Sequence, residues 1–78
     1  MILLKDEKLL NEAIIKSGES KRSFANDIGI SQTMLSLLCK GERNPGAKTA
    51  ISICQKLNIE FDVLFTIVNG YNSKHKEA

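Results

Sequence analysis

A chain of 78 residues, 42 % of them hydrophobic, has room for one domain around one core and excludes a second. A domain this small buries only about 60 % of its unfolded surface, which favours an all-helical fold built from local contacts over long-range strand pairing. The net charge of +2 permits nucleic-acid binding without arguing for it, so that question turns on where individual charges sit.

The opening MILLKDEK joins a short apolar run to mixed charge. It is neither a signal peptide nor a membrane span, and it predicts a cytoplasmic protein. Lys5 to Ser17 reads as a first helix, because Leu9, Leu10, Ala13 and Ile14 recur at helical spacing before Gly18. Ser20 can cap a second helix that carries Phe24, Ala25 and Ile28 on one face. Gly29 ends it, since a residue without Cβ takes the left-handed conformation of a helix terminus at little cost. Ser31 can cap a third helix with Met34, Leu35 and Leu38 turned inward, and Gly41 follows it. Gly41 to Gly46 is a polar loop, and Ala47 to Leu57 a fourth helix facing the core with Ala50, Ile53, Cys54 and Leu57. Asn58 ends that helix, and a fifth runs from Glu60 to about Val68, broken by Gly70. The domain is thus set at residues 1–69, with a polar, frayed tail over 70–78.

Cys39 and Cys54 fall on apolar helical faces, and with His75 alone in the tail they do not make a zinc set. They are predicted to be reduced core thiols, with one buried disulfide as the alternative. No cofactor or metal is expected. No paired carboxylates, activated thiol or phosphate-binding glycine loop can be assembled from the chain, so an enzyme is the weakest hypothesis.

The second and third helices have almost nothing between them, so they must cross steeply, as in a helix-turn-helix. Such a crossing leaves the first turn of the third helix exposed, where it can enter a DNA major groove. The ordered set Ser20, Phe24-Ala25, Ile28-Gly29, Ser31, Leu35 with Leu38, Gly41 and Arg43-Asn44-Pro45 resembles the DNA-binding domain of phage repressors and Cro proteins, the Xre-type helix-turn-helix regulators. The likeness continues through Thr49, Ile53, Leu57, Ile59, Leu64 and Phe65 and covers roughly residues 9 to 66. It implies a compact five-helix, all-α, lambda-repressor-like fold, which agrees with the helices read from periodicity. Three positions depart from the pattern. Ile14 and Cys39 are apolar where relatives often pair an Arg with an acid, which leaves no orphan charge. Glu19 replaces an apolar residue, and Leu37 replaces a polar base reader.

The resemblance assigns base reading to Gln32 and Thr33, with Leu37 against thymine methyl groups and Ser36 ranked lower. Without the family pattern, Gln32 and Thr33 read as ordinary solvent-facing residues of a helix start. Ser20 and Lys21 at one helix start, and Lys40, Arg43 and Asn44 after the third helix, are the phosphate-binding candidates; Arg22 and Lys16 rank below them, and Glu42 opposes them. Val63 and Ile67 form a surplus apolar line on the last helix, and with Tyr71 they are the predicted dimer contacts. The competing view is that Met1 to Leu4 fold back over that line. Together these readings predict a regulator of double-stranded operator DNA, a repressor working as a homodimer on a palindromic site, in a phage or bacterial setting. A protein partner is the expected controller of its activity. The rival class is a protein-interaction module, such as an antitoxin or anti-repressor, supported by the low net charge, Glu42, Leu37 and the apolar line.

Overall fold

The first three helix starts follow from side-chain caps. In the computed structural model, which describes residues 1–68, Asp6 Oδ1 accepts from the Leu9 backbone N–H at 3.0 Å and opens α1, Glu7–Lys16. That start lies later than Lys5 because the Lys5 N–H is used elsewhere, donating to the Leu64 carbonyl at 2.7 Å. Ser20 accepts from Ser23 N–H at 3.1 Å and begins α2, Lys21–Ile28; Ser31 accepts from Met34 N–H at 3.0 Å and begins α3, Gln32–Cys39. Between them Gly29 takes φ 82°, and Ile30 N–H returns to the Ala25 carbonyl at 3.0 Å. This closes the end of α2 and leaves no slack in the turn. Next comes α4, Ala47–Leu57, which stops at Asn58 with φ 57° and ψ 45°. The expectations for Gly70, Tyr71 and the tail over 70–78 lie outside the described residues.

The five helices expected from periodicity are present, but the last is one turn, α5, Phe61–Leu64. Beyond Leu64 the chain does not stay helical to Val68. It becomes a strand, β2, Phe65–Ile67, paired antiparallel with β1, Ile2–Leu4, in the register Ile2 with Ile67 and Leu4 with Phe65. Two β-branched residues, Thr66 and Ile67, favour extension once a partner strand is available. The ribbon adds to an otherwise all-helical domain, and Met1 to Leu4 do fold back: Ile2 and Leu4 pack against the core. They do not cover Val63 and Ile67, which are 48 % and 63 % exposed. Those two residues now sit on different elements, so the single helical line that joined them does not exist.

Every helix contributes to one core: Leu10 and Ile14 from α1, Phe24 and Ala25 from α2, Leu35, Leu38 and Cys39 from α3, Ala50, Ile53 and Cys54 from α4, and Leu64 from α5, with Phe65 from β2. Each fully buried Leu, Ile or Phe contributes about 1.5–3 kcal/mol. No charged or polar side chain is buried among the described residues. Ile14 and Cys39 both lie inside, so the missing ion pair is replaced by apolar packing. Cys39 and Cys54 are free thiols. Glu19, the other departure, is accommodated by charge: Lys56 Nζ from α4 lies 2.7 Å from its Oε2.

Candidate nucleic-acid interface

The two serine caps also define the site. Each cap satisfies the third N–H of its helix, so the first N–H groups of α2 and α3 have no partner within the helix and point outward. Because the turn is only Gly29 to Ser31, both helix starts open onto one groove of about 580 Å³. Its walls are Ser20, Arg22, Ser23 and Asn26 from the α2 side and Ile30, Ser31 and Gln32 from the α3 side. No carboxylate lines it. A guanidinium and two helix N-termini supply donors only, while two amides and the Ser20 and Ser31 hydroxyls can also donate, and the Ser23 hydroxyl is engaged with Glu19; the balance suits an anionic, acceptor-rich ligand.

Gln32 and Thr33 are exposed at the start of α3, and Gln32 is part of the groove wall. Ser36 and Leu37, one turn further, are half-buried. Leu37 is therefore less open than its predicted role assumes, and its carbonyl is occupied by the Glu42 N–H at 2.9 Å. Of the phosphate-binding candidates, only Ser20 lies in the groove. Lys21 is half-buried and lies outside the groove lining. Lys40, Arg43 and Asn44 are exposed beyond the end of α3, outside the groove, with Glu42 exposed among them. Among the described residues, Lys16, Lys21, Arg22, Lys40 and Arg43 make no ion pair, so these cations are available to a ligand.

Arg22, ranked low from sequence, is the cation the groove actually contains, and Asn26 stands beside it. Their spacing of one helical turn on an exposed face is the signal that identifies the pair. The single acid of α2, Asp27, is bound to Lys56 at 2.8 Å, which holds its carboxyl below the ordinary range. No group of acidic, histidine and cysteine side chains suited to a metal occurs among the described residues, and no helix there is long and apolar enough to cross a membrane.

A helix-turn-helix family model matches residues 10–64, from the first core leucine of α1 to the last residue of α5. No curated protein and no solved structure matches the chain.

Proposed function

The chain belongs to the Cro/C1-type helix-turn-helix family, a family of DNA-binding regulators, and from that premise we propose that it is a sequence-specific transcriptional repressor. The observation that carries the reading is the carboxylate-free groove at which the starts of α2 and α3 converge, with Gln32 on its wall and Thr33 exposed beside it. In this reading α3 enters the major groove with Gln32 and Thr33 at base edges, and Ser36 and Leu37 further along the helix. Ser20 and Arg22 hold one phosphate stretch at the start of α2, and Lys40, Arg43 and Asn44 hold another beyond α3. Lys21 supports the first from the side.

Two copies related by a two-fold axis would bind half-sites about 34 Å apart in a palindromic operator. The dimer contacts are assigned to Val63 and Ile67, large apolar side chains that remain exposed on a small domain. Tyr71 is the third expected contact. Repression follows from occupying promoter DNA in the cytoplasm.

Selection of bound duplexes from a random pool tests binding, symmetry and specificity together. Enrichment of a two-fold symmetric site, with a log–log salt slope near −7 to −9 for about four or five phosphates per subunit, is the expected result. No enrichment, with a slope near zero, removes the reading. Ile15, 74 % exposed on α1, favours the rival role of a protein-interaction module, which that second outcome would leave standing.

A further inference from the structure

Two of the domain's acidic residues lie near the two ends of α2, the helix whose start forms the groove. Glu19 immediately precedes the cap Ser20, and Asp27 is the next-to-last residue of the helix. Left free, both carboxylates would repel a phosphate chain laid across Ser20 and Arg22, because exposed charges act over about 8–10 Å at ordinary ionic strength. Neither is free. Lys56 Nζ lies 2.7 Å from Glu19 Oε2 and 2.8 Å from Asp27 Oδ2, and 5.5 Å from the centroid of the buried Phe24 ring. One α4 cation thus lies along α2 and reaches a carboxylate near each end. The Lys56 and Glu19 side chains are 23 % and 30 % exposed and Asp27 45 %, so the Glu19 pair is the better shielded of the two. Glu19 is also one hydrogen bond from the groove, since Ser23 Oγ donates to Glu19 Oε1 at 3.2 Å and Ser23 is part of the wall.

We propose that Lys56 is a positioning residue for DNA binding: it draws Glu19 and Asp27 toward α4 and offsets one of their two negative charges, so that no free carboxylate faces the groove. The inference rests on the DNA-binding reading. Lys56 touches no nucleic acid itself; it acts through the two carboxylates.

The test measures affinity for a random-sequence duplex of about 30 base pairs at about 50 mM salt, where phosphate contacts dominate. Folding of each variant is verified by circular dichroism and thermal melting. Lys56→Met should bind about tenfold more weakly than the parent, and Lys56→Arg should bind like the parent. Adding Glu19→Gln and Asp27→Asn to Lys56→Met should restore affinity, although the α2–α4 link stays broken. A purely structural role predicts no such rescue, so an unrescued loss overturns the proposal, as does unchanged affinity in Lys56→Met. Should Lys56→Met fail to fold, the triple variant decides alone: binding like the parent is expected, and about tenfold weaker binding overturns the proposal. A parent chain that does not bind this duplex removes the DNA reading, and this inference with it.

Discussion

The Asn11 side chain ties α1 to the end of α3: Nδ2 donates to the Cys39 carbonyl at 3.1 Å while also holding the Glu7 carbonyl at 2.8 Å. The Cys39 carbonyl belongs to the last turn of α3, where no intrahelical donor remains. A side chain from α1 therefore fixes the angle at which α3 leaves the core. Asn11→Ala should lower stability by about 1–2 kcal/mol, because it leaves a part-buried carbonyl without a partner. That corresponds to about 4–8 °C in melting temperature per kcal/mol for a domain of this size, read by thermal denaturation.

Gly46 starts α4 with φ −76° and ψ 171°, with no side-chain cap and no atom within 4 Å of a built Cβ. Gly46→Ser fits that backbone, supplies a cap and reduces the freedom of the unfolded chain. A gain of about 0.5–1 kcal/mol is expected in urea denaturation. Unchanged or reduced stability would show that the start of α4 is already satisfied by other means.

The Lys56 pairs set a pH window with two edges. Hydrogen bonding by Lys56 lowers the Asp27 pKa below 3.8, so its stabilisation is present above that value and is lost as pH falls through the lowered one. Hydrogen bonding to Asp27, then to Glu19, raises the Lys56 pKa above 10.5, so its contribution is whole below that value and is lost as pH rises through the raised one. Melting temperature should therefore decline at both extremes. Asp27→Asn should flatten the acid edge relative to the parent; an identical acid edge in both proteins would rule Asp27 out as its source.

Gln32 and Arg22 should separate specificity from affinity. Gln32→Ala is expected to cost about 1–3 kcal/mol at particular base pairs and little on random DNA. Arg22→Ala should weaken all sequences alike and reduce the salt slope by about 1. Competition titrations with selected and random duplexes distinguish the two. Equal losses on both DNAs from the Gln32 change would take it out of the base-reading set.

Ile67→Lys puts a charge on the largest exposed apolar side chain of β2 without touching the core. In sedimentation the parent should be a dimer at micromolar concentration and Ile67→Lys a monomer, each with the same helical content. A dimeric variant would move the interface away from the ribbon.

The first four helices were legible in the sequence because their signals are local: a capping side chain at Ser20 and Ser31, a left-handed stop at Gly29 and Asn58, and apolar residues at helical spacing between. The ribbon was not. Phe65 to Ile67 take strand geometry only because Ile2 to Leu4, from the opposite end of the domain, lie alongside, and no local pattern records so distant a partner. The same limit applies to the interface. Exposure of Gln32 and Thr33 follows from their place after a cap, but the entry of Arg22 and Asn26 into a shared groove depends on how steeply α2 crosses α3. Glu19 looked like a packing fault until α4 brought Lys56 to it.

Burial of the two thiols turns them into internal clocks. Cys39 and Cys54 are only 2 % and 7 % exposed, and desolvation pushes both thiols above their ordinary pKa, so neither is poised to react with an alkylating agent in the folded molecule. Labelling by iodoacetamide must then wait for the domain to open, and its rate reports how often the native state comes apart without any denaturant.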